Sequence, residues 1–266
     1  MLIDTHAHLN FPQYVTDTDR VIKRSIRNGV GKIVCVGSNL ADSRKAIDLA
    51  QEYPETIYAA AGIHPHDTAS NSDLLSSNRQ IKQLKLLAQN KHIIAIGECG
   101  LDYSSPPPGE KERSVSEQRK LFQSQIEIAQ ELNLPLLVHT RKAFAETMDT
   151  LEKACQKKKI TGVIHFYSAG KKGIKRVLNL GFFFGLDGNL TYEQGLQIVA
   201  SQIPLEKIIL ETDCPWLTPE PFRGQRNEPK NIKFIAEALA KIKKVSFEKI
   251  AFQTTQNAGR LLRLNN

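Results

Sequence analysis

Leu2-Ile3-Asp4-Thr5-His6-Ala7-His8 runs from two aliphatic residues straight into a pair of histidines one position apart. In an extended strand successive side chains alternate faces, so both imidazoles leave the same face and can converge on one cation. Alone the pair says little, because two of seven histidines fall two apart easily by chance. The same context recurs in Gly62-Ile63-His64-Pro65-His66, Gly97-Glu98-Cys99-Gly100, Leu137-Val138-His139, Val163-Ile164-His165 and Leu210-Glu211-Thr212-Asp213. Each group closes a short aliphatic or β-branched run and opens a loop. Core histidines do not produce six such sites.

Working outward from these runs, apolar periodicity predicts eight strands, near 1–6, 32–37, 57–62, 92–98, 135–139, 161–165, 182–187 and 207–213. Stretches of helical period lie between them, near 17–28, 41–53, 79–89, 116–132, 142–156, 171–180 and 191–201, with two more at 229–242 and 246–263. Ser114-Val115-Ser116-Glu117 fits a capping box, Pro135 ends the long helix after it, and Pro229 suits a first helical turn. Ser104 to Glu110, with Pro106-Pro107-Pro108 inside it, reads as a stiff surface loop near the ligand-type residues. Eight strand and helix units match a single (β/α)8 barrel with a C-terminal helical extension, whose functional residues gather at the C-terminal ends of the strands. An open doubly wound sheet is the alternative, but the first strand ends in histidines and not in a glycine-rich phosphate loop. No repeat or linker divides the chain, so residues 1–266 are expected to form one domain.

Composition narrows the setting. No run approaches the roughly 18 apolar residues of a membrane span, and the chain enters a strand without a basic-then-apolar leader. A cytoplasmic monomer with no membrane contact is the expectation. Cys35, Cys99, Cys155 and Cys214 are scattered without CxxC spacing, which excludes a zinc ribbon and makes reduced thiols the default. A net charge of +8 favours polyanionic partners such as nucleic acid. The runs Lys157-Lys158-Lys159 and Lys241-Ile242-Lys243-Lys244 lie on or beside helices and read as solvated surface.

Barrel closure would bring His6, His8, His64, Glu98, His139, His165 and Asp213 around one axis. Imidazole and carboxylate suit zinc, manganese, iron or nickel, and the carboxylates are too few for a calcium cage. Glu98, between the two histidine groups, is the candidate bridge of two ions that share a nucleophilic water or hydroxide. Asp213 completes the site as ligand and proton acceptor. His66 divides between a loop residue, a ligand of a third metal and a phosphate contact, while His92 begins a strand at the far end and reads as structural. Alternation turns Cys99 and Cys214 away, and it points Asp4 and Glu211 inward but deeper, as partners of other groups.

The strings Asp4-Thr5-His6-Ala7-His8, Gly62-Ile63-His64-Pro65-His66, Gly97-Glu98-Cys99-Gly100-Leu101-Asp102-Tyr103, Val138-His139-Thr140-Arg141, Glu211-Thr212-Asp213-Cys214-Pro215 and Arg223-Gly224-Gln225-Arg226-Asn227-Glu228-Pro229 resemble the TatD-type deoxyribonucleases of the amidohydrolase superfamily. The resemblance spans essentially the whole chain. It implies a metal-dependent hydrolase with His6, His8, Glu98 and Asp213 on one divalent ion (zinc, manganese, magnesium, nickel or iron), and Glu98, His139 and His165 on a second. By the same resemblance His64 lies near the substrate phosphate, and His64, Glu98 and Asp213 carry catalysis. Where the family commonly has Cys-Phe-Ser-Gly after the ligand histidine, this chain has Phe166-Tyr167-Ser168-Ala169-Gly170, a change that bears on substrate fit.

The expected activity is phosphodiester hydrolysis, 3′ to 5′, on single-stranded or frayed DNA. Arg141, and Arg223 or Arg226, would fork onto phosphates, with a structural salt bridge as the other reading of Arg226. Phe11, Tyr103, Tyr167 and Trp216 on rim loops would stack on unpaired bases. Hydrolysis of an ester or amide, including deacylation of aminoacyl-tRNA, is the alternative, because the same hydroxide attacks a carbonyl carbon.

Overall fold

The computed structural model describes residues 1–67, 77–105 and 113–264, so Pro106-Pro107-Pro108 and the rest of that insertion through Glu110 lie outside the described residues. Strands and helices alternate: β1 (Leu2–Ala7), α1 (Thr18–Arg27), β2 (Val30–Val36), α2 (Leu40–Glu52), β3 (Ile57–Ala61), α3 (Ser77–Ala88), β4 (Ile93–Asp102), α4 (Val115–Leu132) and β5 (Leu136–Arg141). They continue as α5 (Phe144–Lys157), β6 (Gly162–Ile164), α6 (Lys171–Leu180), β7 (Phe183–Leu186), α7 (Gln194–Gln202), β8 (Ile208–Leu210), α8 (Ile232–Lys243) and α9 (Phe247–Leu262). All eight strands pair in parallel and in chain order. The barrel closes just beyond β8, where Ala7 bridges Cys214, Asp213 N donates to His6 O at 2.9 Å and His8 N donates to Cys214 O at 2.9 Å. The seam therefore runs through the backbone of candidate ligands, which fixes β1 against the segment after β8.

Two apolar layers hold the barrel. Ile3, Val34, Val36, Ala60, Ala95, Leu137, Val163, Phe183 and Ile209 point inward, and Ala258, Leu261 and Leu262 from the end of α9, with Leu264 just after it, close the bottom against them. A larger outer layer packs the other strand faces against the helices. Burying each of the valine, leucine, isoleucine and phenylalanine side chains stabilises the fold by about 1.5–3 kcal/mol, so this sandwich outweighs any rim contact. The helix signals act as read: the capping box of Ser114 and Glu117 is formed, and Asn133 ends α4 in the left-handed conformation two residues before Pro135. Pro229 stands at the start of a helical turn as expected, a turn that is 3-10 (Pro229–Asn231) and runs directly into α8 from Ile232.

Inner parity carries from Ala60 to His64, from Leu137 to His139, from Val163 to His165 and from Ile209 to Glu211. It fails in two strands. Ile3 faces inward, yet so do His6 and His8, because the β1–β2 register shifts between Asp4 and Ala7. Ala95 faces inward, yet Glu98 reaches the cavity, because the β4–β5 register shifts between Ile96 and Cys99. Asp4, expected to point inward, instead accepts from Thr212 N at 2.9 Å and Thr212 Oγ1 at 2.6 Å and pins the seam. Burial pushes its carboxyl up to about 7 against those hydrogen bonds.

Candidate metal centre

The strand ends open on a cavity of about 910 Å³ whose wall includes His8, His64, His66, Glu98, His139, His165 and Asp213. His6 Nε2 lies 3.5 Å from Glu98 Oε2 and 3.8 Å from Asp213 Oδ1, and His8 Nε2 lies 3.9 and 3.4 Å from the same two atoms. Donors bound tetrahedrally at 2.0–2.1 Å stand about 3.4 Å apart, and these four nitrogen–oxygen separations lie near that value, with His6, His8 and Glu98 close enough together to share one ion. The other Glu98 oxygen faces a second group: Oε1 is 2.8 Å from His139 Nδ1, 3.6 Å from His64 Nε2 and 3.8 Å from His165 Nε2. His165 Nε2 is also 3.7 Å from Asp213 Oδ1. One carboxylate thus divides its two oxygens between two clusters of nitrogen donors.

Both ring nitrogens of His6 are buried without a hydrogen-bond partner. A buried imidazole without partners is costly unless something else takes its lone pair, and a divalent cation between His6, His8, Glu98 and Asp213 does so. The residues therefore fit a metal.

The ring nitrogens facing away from the cluster are held as metal-ligating histidines usually are. His8 Nδ1 is 3.0 Å from Val36 O and His139 Nε2 is 2.9 Å from Asp102 Oδ2, both in hydrogen-bonding geometry, while His165 Nδ1 lies 2.8 Å from Glu211 Oε1 as an ion-pair contact outside that geometry. Glu211 Oε1 also accepts from Phe166 N at 2.6 Å, holding Phe166 at φ 48°, in the left-handed region. Gly185 makes room for this carboxylate, since a Cβ there would strike it. Asp213 likewise has φ 51°, which turns its side chain into the cavity directly after β8. His64 is oriented differently. Its Nδ1 accepts the His66 N–H at 3.1 Å, so in the neutral ring the proton sits on Nε2, which faces the cavity as a donor.

Electrostatics separates the histidines. Burial drives His64 down to about 3, keeping it neutral. For His139 burial opposes charge, but hydrogen bonds with Asp102 and Glu98 override it and push the ring up to about 9. For His165 burial is overridden by Glu211 and Asp213, to about 10. Burial works against ionisation of Glu98 too, yet His64, His139 and His6 hold it well below the usual range, and against the same burial His165 and His8 lower Asp213. Protons and divalent cations accordingly compete for the same nitrogens.

Several expected contacts stand elsewhere. Arg141, Phe11 and Trp216 line the cavity, and His66 Nε2 lies 3.2 Å from Asp102 Oδ1 on its wall. Tyr103 and Arg223 are not on the wall: the Tyr103 hydroxyl donates to Glu146 Oε2 at 2.7 Å, and the Arg223 guanidinium stacks 4.2 Å above the Tyr192 ring. Tyr167 is buried, with its hydroxyl on Gly170 O at 2.7 Å. Arg226 takes the structural reading and forks onto Asp17 at 2.9 and 2.7 Å. Asp102 is the residue that sequence reasoning passed over. Its signal was the shared parity of Glu98, Gly100 and Asp102 at the end of one strand.

The model of the TatD-related DNase family matches residues 3–263. An uncharacterized metal-dependent hydrolase of Bacillus subtilis, YabD, is 37% identical, covering 100% of both chains. The 3′-5′ ssDNA/RNA exonuclease TatD of Erwinia tasmaniensis is 31% identical over 99% of this chain and 100% of its own. Among solved structures, the TatD homologue YJJV of Escherichia coli superposes with a TM-score of 0.88 at 27% identity, over 99% of this chain and 98% of that one.

Proposed function

The chain belongs to the TatD-related DNase family, and from that membership and the cavity's geometry we propose a divalent-metal-dependent hydrolase that cleaves phosphodiester bonds. We assign its substrate as single-stranded or frayed DNA, shortened from the 3′ end. The observation that carries this reading is the division of Glu98, Oε2 toward His6 and His8 and Oε1 toward His139 and His165, on the wall of an open cavity that Arg141 also lines. Erwinia TatD, named for 3′-5′ action on single-stranded DNA and RNA, supports the substrate class.

His6, His8, Glu98 and Asp213 would hold one ion, and Glu98, His139 and His165 the other; zinc, manganese, magnesium, nickel and iron all suit parts of this donor set. Bound there, the ions supply Lewis acidity toward phosphoryl oxygens and lower the pKa of water. The protein's own groups do the rest. The Asp213 carboxylate accepts the proton of the attacking water. His64, neutral and presenting Nε2–H, donates to a non-bridging phosphoryl oxygen without bringing a second charge into the cluster. Arg141 pairs with a flanking phosphate. Phe11 and Trp216 offer ring faces to an unpaired base.

The test is hydrolysis of a 5′-labelled single-stranded oligonucleotide with added divalent metal, expected to give a ladder shortening from the 3′ end and to stop on chelation. Turnover in exhaustively demetallated protein would overturn the reading. Inertness toward DNA together with hydrolysis of an aminoacyl ester would replace the nuclease by an acyl hydrolase at the same centre.

A further inference from the structure

The rim of the cavity is electrically lopsided. Beside the β8–β1 seam Arg226 pairs with Asp17 and Arg24 with Glu228 at 2.5 and 2.6 Å, while Arg223 is held against the Tyr192 ring. Behind the rim, Arg119 pairs with Glu146, and Arg176 with Asp149 and Glu152. Across the barrel, at the ends of the adjacent strands β5 and β6, Arg141, Lys142, Lys171 and Lys172 are all exposed, and none makes an ion pair with another described residue. Arg141 and Phe166 line the cavity, so the arc begins at its wall and runs outward to the start of α6.

Four unpaired cations repel one another and destabilise the empty fold. The first turn of α6 contains no acid to offset its two lysines, although that end of a helix disfavours positive charge. The opposite rim carries Phe11 and Trp216, edge to face at 5.5 Å, with Trp216 48% exposed. An occupant that relieves the repulsion must carry repeated negative charge from the cavity outward, and it must offer a flat apolar group on the far side. A single nucleic-acid strand has both.

We infer that the strand crosses the mouth from the aromatic to the cationic rim, its terminal base against Phe11 and Trp216 and its following phosphates over Lys142, Lys171 and Lys172. This rests on the nucleic-acid reading of the cavity, but it is separable from catalysis. A free phosphate or nucleotide would engage the cavity without reaching the lysines, so the arc matters only for longer chains.

The experiment is binding of a fluorescent phosphorothioate oligonucleotide of about 10 nucleotides, and of a dinucleotide, to the full chain across a salt series. Wild type is compared with K142A/K171A/K172A and with K157A/K158A/K159A, which removes equal charge from the far end of α5. Single-stranded contacts change the salt slope by about 0.7 each, so the first variant should lower it by about 2 and weaken the longer strand roughly tenfold or more at low salt. The dinucleotide should lose far less, and the control variant should bind the longer strand as wild type does. Equal losses in the two triple variants, an equal loss for both ligands, or no salt-dependent binding by wild type would overturn the track. Salt-dependent binding by a protein that leaves the unmodified oligonucleotide uncut with divalent metal present would sink the nuclease assignment and leave the track standing.

Discussion

Asp102 Oδ2 sits 2.9 Å from His139 Nε2, on the side of the ring opposite the 2.8 Å contact between His139 Nδ1 and Glu98 Oε1. Ser104 N and Oγ donate to the other Asp102 oxygen at 2.8 and 2.6 Å, so the carboxylate is itself anchored. Burial opposes its ionisation, but His139 and Ser104 hold it well below the usual range. It fixes both the direction and the tautomer of a candidate ligand without reaching the cavity's centre.

Asp102→Ala should therefore release His139 and weaken one of two metal sites about 10- to 100-fold, with the other spared. Asp102→Asn, which keeps an acceptor but no charge, should fall between. Metal titration followed by elemental analysis reads this directly. Identical affinity at both sites in the alanine variant would remove Asp102 from the account.

Asp213 is proposed to accept a proton as well as to hold an ion, and Asn keeps its shape while losing its basicity. Asp213→Asn should lower kcat about a hundredfold to ten-thousandfold, with KM changed far less. His92, immediately before β4 at the other end of the barrel, is the control, and His92→Ala should leave turnover nearly untouched. Steady-state kinetics at saturating metal decides; near-normal kcat in Asp213→Asn contradicts the role.

Away from the cavity, Asp17 gives a pH test of stability. Hydrogen bonds from Arg226, then Arg24, lower its carboxyl from 3.8 to about 2. A folded-state pKa below the unfolded one means that the stabilisation is fully present above about pH 4 and is lost as pH falls toward 2. The shift sets an upper limit of about 2.5 kcal/mol, and because both guanidiniums are about a third exposed, screening leaves about 1 kcal/mol. Denaturant unfolding should show Asp17→Asn less stable than wild type by about that amount near pH 6, with the gap closing near pH 2. A gap that persists unchanged into acid would contradict the pairing.

The alternation of strands and helices was legible because each strand is a short aliphatic run and each helix carries its own punctuation, as at Ser114 and Asn133. The ligand-type residues were legible because they follow those runs directly. What could not be read was local register. The shifts in β1 and β4 that bring His6, His8 and Glu98 inward depend on how neighbouring strands pair, and period-two counting carries no trace of them. Rim side chains were harder still. Tyr103, Tyr167 and Arg223 have the chemistry of substrate contacts, but Glu146, the Gly170 carbonyl and the Tyr192 ring claim them first, and those partners are distant or unmarked in sequence.

The central claim is that Glu98 joins two metal sites, and metal content per chain tests it most directly. After loading and gel filtration, wild type should retain two divalent ions per chain. Glu98→Gln keeps the side chain's size but removes the charge between the clusters, so it should lose affinity at both sites together while its circular dichroism stays that of the wild type. Two ions retained at unchanged affinity in Glu98→Gln, or loss confined to one site, would contradict the bridge.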